Sequence, residues 1–436
     1  MAGLIIAAPQ SGSGKTVVTL GLLRLLRQRG LRVAAAKTGP DYIDPSFLAA
    51  AGGGPCRNLD AWAMRRETLA ASIRFLESEA AIVLCEGVMG LFDGAGLAAA
   101  GSTADLALAT GWPVILVVDV SGQSASAAAL IEGFARHRAG VTIAGVIFNR
   151  VGSARHRAMA EAALRRALPA MKILGALPRA AALDLPSRHL GLVPAGEHQA
   201  LDAFLDGAAA RMAEAINVNA LLDLARPATV AAAKGEQPVP PLGQRLAVAR
   251  DRAFAFAYES VLQGWREAGA SLSFFSPLAG EVPASDADAI YLPGGYPELF
   301  AEPIASQQRF LDGLRHAAQR DTVIYGECGG YMVLGESLVD GAGKVHAMAG
   351  LLPVKTSFAA RKRHLGYRAA TLAATGPLGT AGQGFRGHEF HYATIVDENA
   401  VAPLFHLADP DETALGSAGC VAGTVMGSFI HLIDRA

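Results

Sequence analysis

"GLIIAAPQSGSGKTVVTLGLLRLLRQRG", residues 3–30, runs from a short apolar stretch through a glycine- and serine-rich loop into a leucine-rich segment. The apolar stretch reads as a strand buried on both faces and the leucine-rich segment as a helix, so the loop joins a strand to a helix. In such a loop the backbone N–H groups and the helix N-terminus surround phosphate oxygens. Ser11, Gly12, Ser13 and Gly14 form the expected cradle, with Lys15 reaching a terminal phosphate and the Thr16 hydroxyl ligating magnesium.

Outward from that loop, apolar runs at residues 31–36, 80–85, 113–118, 143–148 and 172–177 alternate with alanine- and leucine-rich segments. Continuous apolar strands alternating with helices predict an α/β fold with a parallel sheet covered on both faces. Ligands of such sheets bind outside the carboxyl ends of the strands. The run at 31–36 ends in "KTGPDYIDP" (37–45), bringing Lys37, Asp41 and Asp44; that at 80–85 ends in "CEGVMGLFDG" (85–94), bringing Glu86 and Asp93. Lys15, Lys37, Asp41, Asp44 and Glu86 are therefore expected in one crevice. Magnesium takes hard oxygen ligands while keeping water and phosphate in its shell, so Thr16 with Asp44 or Glu86 forms a suitable set. Singly, each acid also has an ordinary role: Asp44 precedes Pro45 as an N-cap would, and Asp41 suits a turn. Asp119 and Asn149 end two further runs, and Asn149 either reads an adenine edge or serves a turn.

The 436 residues exceed one ordinary core and predict two domains. Residues 226–244, "RPATVAAAKGEQPVPPLGQ", lack periodicity and read as a linker between a domain at 1–225 and another at 245–436. A charged fraction of 18% with half the residues hydrophobic excludes a disordered chain, and a net charge of -1 gives no nucleic-acid or membrane footprint. An anionic substrate must then be met by local basic groups, of which "RKRHLGY" (361–367) is the densest cluster. Cys56, Cys85, Cys328 and Cys420 are far apart with no C-x-x-C pair, which argues against zinc and disulfides and fits a reducing cytoplasm. The start of the chain lacks a basic leader, and no apolar run reaches membrane-spanning length.

Beyond residue 245 the strand pattern restarts with "RLAVAR", "ASLSFF", "DAIYLPGG" and "TVIYGECGG". "GECGG" (326–330) is a G-x-C-x-G form of the nucleophile elbow, in which a sharp strand-to-helix turn lifts a side chain out of the sheet. The following helix N-terminus is expected to lower the Cys328 thiol pKa. Attack on a carbonyl creates an oxyanion, for which the amides of Gly295, in "LPGGYPE" (292–298), and Gly329 are the expected donors. His431, in "TVMGSFIHL" (424–432), is the expected base, read as a loop residue returning over the sheet; His388 and His391 of "GHEFHY" (387–392) are its rivals. The other three cysteines have no elbow and read as small core residues.

The motifs "APQSGSGKT", "KTGPDYIDP", "EGVMGLFDG", "LPGGYPE", "GECGGYMVLG" and "GHEFHY" together resemble the cobyrinic acid and hydrogenobyrinic acid a,c-diamide synthase family over essentially the full chain. Pro9, where the commonest phosphate loops carry glycine, resembles the loop variant of dethiobiotin synthetase-like and partition-ATPase-like proteins. The resemblance implies a dethiobiotin synthetase-like P-loop domain joined to a class I glutamine amidotransferase domain of flavodoxin-like architecture. It implies successive amidation of the a and c acetate groups of a corrin ring with ATP, magnesium and glutamine. Cys328 falls on the glutaminase nucleophile and His431 on its base. Lys15 and Thr16 fall on phosphate and magnesium positions, Asp41, Asp44 and Glu86 on the acids of the synthetase site, and Lys37 and Asn149 complete the expected ATP-binding set. Many class I amidotransferases carry a glutamate two residues after the histidine; here that residue is Ile433, and Glu389 is the substitute considered.

The expected partners are thus ATP, glutamine and a tetrapyrrole acid, with no nucleic acid or membrane, a homodimer as the assembly to test, and a protected path for ammonia. Cobyric acid synthase and nickel-sirohydrochlorin a,c-diamide synthase are the neighbouring alternatives. A partition-type switch ATPase with a non-catalytic second domain is the alternative from another class, and glutaminase activity discriminates it.

Overall fold

The computed structural model describes residues 2–179, 187–188, 191–192, 200–230, 237–398 and 402–436. The chain divides into two compact units, one of residues 1–62 and 66–235, the other of residues 63–65 and 236–436.

The first unit is built on seven parallel strands: β1 (Ala2–Ala7), β2 (Val33–Thr38), β3 (Cys56–Leu59), β4 (Ile82–Glu86), β5 (Val114–Asp119), β6 (Ile143–Val151) and β7 (Lys172–Pro178). Their order is β3-β2-β4-β1-β5-β6-β7, so β1 is central and its following loop opens at the carboxyl edge between β4 and β5. Leu4, Ile5, Ile6, Leu84 and Ile115 are fully buried, which is why these strands read as unbroken apolar runs. The leucine-rich segment is helix α1 (Lys15–Gln28), which buries Leu20, Leu22, Leu23 and Leu26. Each such leucine contributes about 1.5–3 kcal/mol by leaving water, so α1 is anchored and its N-terminus is fixed at the end of β1. The reading of the sequence passes over β3, because four residues, "CRNL", two of them polar, form a sheet edge with no apolar run.

The second unit has a ten-stranded mixed sheet. Its parallel part runs Ser271–Phe275, Arg245–Ala249, Ala289–Leu292, Val323–Glu327 and Val425–Ser428; antiparallel strands Ala414–Ala422, Ala402–Ala408, His364–Leu372, Gly384–His391 and Ile430–Arg435 continue it. Phe254, Phe310, Tyr331, Met332 and Val333 pack on the parallel part. The antiparallel strands escape a search for apolar runs because long stretches of them are exposed or half-buried. Of the stretch read as a linker, residues 231–236 lie outside the described residues. Its ends are bonded to the units: Gly3 N–H donates to the Arg226 carbonyl at 2.7 Å, and the Trp265 indole donates to the Val239 carbonyl at 3.1 Å. No helix among the described residues is long and apolar enough to cross a membrane.

Candidate active sites

In the first unit the loop after β1 turns on Gly12 and Gly14, with φ of 77° and 91°, the left-handed region that glycine enters without strain. A side chain at Gly14 would also stand 2.3 Å from the Asn149 amide nitrogen. The loop closes on itself where the Ser13 hydroxyl donates to the Gln10 carbonyl at 2.9 Å. Two residues ending β6 brace it from outside. Asn149 Nδ2 donates to the Ser13 carbonyl at 2.8 Å, and Arg150 donates to the Gly12 carbonyl at 2.9 Å and to Asp119 at 2.5 Å. Asn149 Oδ1 accepts the Arg150 N–H at 2.9 Å, so both ends of its amide are engaged with backbone near the loop. Ser11 and Gly12 are exposed and Lys15 is buried. The bracing by Arg150 goes unread in the sequence, although "NR" at the end of an apolar run marks it.

Beside the loop, the Thr16 hydroxyl donates to Glu86 Oε1 at 2.5 Å, and Lys37 Nζ stands 2.5 Å from Asp44 Oδ2 and 3.1 Å from Glu86 Oε1. Asp41 accepts the N–H groups of Ile43 and Asp44 at 2.8 and 2.9 Å, and so caps helix α2 (Asp44–Gly52). Asp44 itself is the first helical residue, not the cap, and its carboxylate is turned to Lys37. All the residues expected in this crevice therefore meet there, Asp41 partly occupied with the helix start. Burial raises the Glu86 carboxyl against the pull of Lys37, and burial beside Asp44 raises Asp41 to about 6. Burial opposes charge on Lys37, but Asp44 and Glu86 outweigh it and hold its pKa above the usual lysine value. Burial and the neighbouring Lys37 lower Lys15, and Glu86 partly offsets them. Glu86 is fully buried, and its Oε2 has no hydrogen-bond partner among the described residues. An orphaned buried carboxylate oxygen next to a threonine hydroxyl fits a hard divalent cation such as magnesium.

In the second unit Cys328 sits between the strand Val323–Glu327 and the short helix Gly329–Leu334, with φ 46° and ψ −101°. A non-glycine residue there is strained, which is the mark of an elbow. The turn is held by the Cys328 N–H donating to the Ser428 carbonyl at 2.8 Å. His431 lies on the strand Ile430–Arg435 opposite His388 and is fully buried, so it is a strand residue rather than the expected loop residue. The chain leaves the parallel strand at Ser428 and enters the far edge strand at Ile430, which carries His431 over the elbow.

Gly294 defines the space they share: a Cβ there would stand 2.2 Å from His431 Cε1, 2.9 Å from its Nε2 and 3.3 Å from Cys328 Cβ. Only a residue without a side chain lets cysteine and histidine face each other. The Gly295 nitrogen lies 3.0 Å from the point where a Gly329 Cβ would stand, so the two expected oxyanion donors are neighbours. Burial, with Glu298 nearby, raises the Cys328 thiol above its ordinary value. This corrects the expectation of a lowered pKa: a six-residue helix cannot offset full desolvation. Burial and His388 lower His431 to about 3, so at neutral pH the pair is a thiol and an uncharged imidazole, a base able to accept a proton.

The rivals are engaged elsewhere. His391 Nε2 contacts Glu389 at 2.9 Å and stacks on Phe429 at 3.8 Å, and His388 packs edge-on to Tyr367. Glu389 also accepts from Arg368 at 2.7 Å, so its oxygens are held by Arg368 and His391, while its charge acts on His431 from a distance. The carboxylate beside His431 is Glu327: its Oε2 lies 3.8 Å from His431 Nδ1. Oε1 accepts the Leu432 N–H at 3.1 Å and the Tyr325 hydroxyl at 3.1 Å, and Oε2 accepts the Tyr291 hydroxyl at 2.7 Å. Burial raises this carboxyl to about 7. Its signal in the sequence is a glutamate ending an apolar strand directly before the cysteine. Cys85 and Cys420 are buried against Thr38 and Tyr331, and all four cysteines are free.

Residues 4–193 match the CobQ/CobB/MinD/ParA nucleotide binding domain, and residues 245–435 match the CobB/CobQ-like glutamine amidotransferase domain. Among curated proteins the chain is 54% identical over 440 residues to hydrogenobyrinate a,c-diamide synthase of Rhizobium meliloti (strain 1021), covering 100% of this chain and 99% of the relative. It is 54% identical over 438 residues to the enzyme of that name from Brucella abortus biovar 1 (strain 9-941), covering 100% and 99%. With that of Rhodobacter capsulatus it shares 51% identity over 437 residues, covering 99% and 98%.

Proposed function

We propose that this chain, which belongs to the hydrogenobyrinate a,c-diamide synthase family, converts the a and c acetate carboxylates of hydrogenobyrinic acid to amides with ATP and glutamine. It is a glutamine-hydrolysing, amide-forming ligase. The observation that carries the reading is the Cys328–His431 pair meeting over Gly294 in a chain that also holds a phosphate loop.

At the glutaminase centre His431 takes the Cys328 proton as the sulfur attacks the side-chain amide carbon of glutamine. The amides of Gly295 and Gly329 receive the oxyanion, and His431 returns the proton to the leaving ammonia. Water then hydrolyses the thioester to glutamate. At the synthetase centre a ring carboxylate has no adequate leaving group. Its oxygen attacks the γ-phosphorus of ATP and ADP leaves; ammonia attacks the acyl phosphate carbon and phosphate departs as the amide forms. Lys15 and the loop amides compensate the phosphate charge. Lys37 holds Glu86 and Asp44 in place, and Asn149 keeps the loop in shape. Thr16, Glu86 and Asp44 would hold magnesium, which when bound offsets phosphate charge. Arg361, Lys362 and Arg363, exposed ahead of a strand, suit the carboxylates of the ring substrate. Four free cysteines suit a reducing cytoplasm.

The test is the Cys328→Ala protein supplied with ATP, magnesium and hydrogenobyrinic acid. Glutamine should then support no amidation, whereas ammonium should still add two amide groups by mass. If ammonium fails with folded protein, the two-centre mechanism is wrong. Cobyrinic acid offered in parallel decides the ring: preference for it would replace the metal-free substrate.

A further inference from the structure

His431 has no orienting carboxylate at the spacing usual for this class, and the two obvious sources are closed. Residue 433 is a buried isoleucine, and Glu389 is committed to Arg368 and His391. We propose that Glu327, the residue directly before the nucleophile, is the positioning residue of the glutaminase centre, fixing the His431 ring and balancing its charge once it has taken the thiol proton. The proposal rests on the reading of Cys328 and His431 given above.

One carboxylate grips two consecutive residues of the edge strand. Oε1 takes the Leu432 N–H at 3.1 Å, and Oε2 faces His431 Nδ1 at 3.8 Å. The carboxylate is itself immobilised. Tyr291 and Tyr325 donate to it from below, and their rings lie 17° from parallel with centroids 5.9 Å apart. The Trp265 ring meets Tyr291 edge-on at 5.2 Å. Glu327 thus stands on an aromatic wall that leaves it little freedom. The 3.8 Å separation is longer than a hydrogen bond, in a site where burial disfavours the charged imidazole. Catalytic hydrogen bonds commonly tighten only when substrate binds and charge develops.

Charge supplies the second argument. His431 is fully buried among His388 and His391, and an imidazolium there is favoured only by a backbone hydrogen bond to Phe256 and by nearby carboxylates. A buried cation without a partner is strongly unfavourable, and Glu327 is the carboxylate that borders the ring at Nδ1. The constellation of nucleophile, base and acid is defined by its arrangement in space, so the acid can come from the nucleophile's own strand instead of the histidine's. The ionisable groups facing the centre are Cys328, His388, His391, Glu389 and Glu298 on the thiol side, and Tyr291 and Tyr325 on the carboxylate side.

The experiment uses the full chain as parent, Glu327→Gln, Glu327→Asp and Cys328→Ala, with three readouts: glutamine-driven amidation, ammonium-driven amidation, and the pH dependence of Cys328 alkylation by iodoacetamide, followed by peptide mass. For Glu327→Gln, kcat with glutamine should fall at least about 100-fold. Its KM for glutamine should stay within about threefold and its ammonium-driven rate within about twofold. Alkylation of Cys328 at pH 7 should slow by at least about tenfold, because the imidazolium formed as His431 takes the thiol proton loses its counter-charge. Glu327→Asp should recover part of each loss. A Glu327→Gln protein with kcat within threefold of the parent, beside an inactive Cys328→Ala protein, overturns the role of Glu327 and leaves the glutaminase reading standing. Loss of ammonium-driven turnover in Glu327→Gln, or equal damage in Glu327→Asp, marks a structural role and also overturns it. Glutamine-driven turnover surviving in Cys328→Ala sinks the underlying reading instead.

Discussion

The two units use one device, a strand that ends in a glycine turn and opens a helix, for opposite electrostatic purposes. After β1 the turn is wide and partly exposed, and the groups around it are charged and interlocked: Lys37 between Asp44 and Glu86, with Thr16 on the same glutamate. After Val323–Glu327 the turn is tight and strained at Cys328, and Cys328 and His431 are buried where desolvation disfavours charge on either. Under the proposed function the first centre receives phosphates and a cation, which suits charges that stand at rest and a Glu86 oxygen with no hydrogen-bond partner among the described residues. Under the proposed function the second centre makes a nucleophile, and burial there disfavours separated charges before substrate arrives.

The strongest challenge to this division is Lys15→Ala. Amidation should fall about 100- to 1,000-fold with either nitrogen source, since a preorganised charge on the phosphates is lost. Cys328 alkylation should be unchanged, and a defect confined to glutamine would erase the contrast between the units. Gly294→Ala probes the other centre. Its methyl would enter the space 2.2 Å from His431 Cε1, and a displacement of about 1 Å costs roughly 100-fold. Steady-state rates should show the loss with glutamine and none with ammonium. Asn149→Ala removes one brace of the phosphate loop, about 1 kcal/mol for the hydrogen bond, and should raise the KM for ATP by about fivefold. An unchanged KM would mean that Arg150 alone holds the loop.

The smallest effect concerns stability against pH. His388 is held to about 3 by burial and by Arg368, against an ordinary 6.5. Between those values the unfolded chain binds a proton that the folded protein refuses, so this residue weakens the fold progressively as pH falls from 6.5 toward 3. Asp41 and Glu327, raised to about 6 and 7, act in the opposite sense above the ordinary carboxylate range. The readout is therefore the melting temperature of the parent minus that of His388→Phe, which should drop steadily on acidification. A constant difference would show that His388 is not buried in its neutral form.

Much of the first site is legible in the chain because its parts are local. The strand, loop and helix of residues 3–30 are contiguous, and the acids follow the ends of apolar runs whose burial on both faces makes them visible. The bounds shift by a residue or two where polar groups such as Lys37 and Glu86 extend strands past their apolar part. The second site is less legible. "GECGG" marks the nucleophile, but Glu327 reads as one polar residue beside it, and its meaning depends on a strand more than a hundred residues later. The thiol is misread for the same reason: a helix start is visible in the sequence, whereas the burial that overrides it is not.

The residue order by itself determined two α/β units, a phosphate loop and a cysteine elbow, since each follows from neighbours in the chain and from the periods of strand and helix. The sequence favoured His431 over His388 and His391, and tertiary structure decided how it comes to face the cysteine, from a buried strand and not from a loop. His431 reaches the elbow because the chain bends at Phe429 and the far edge strand of a ten-stranded sheet returns beside the nucleophile strand, where Leu432 bonds to Glu327. Such a contact depends on how a twisted sheet curls through space, and no local period in the sequence encodes it.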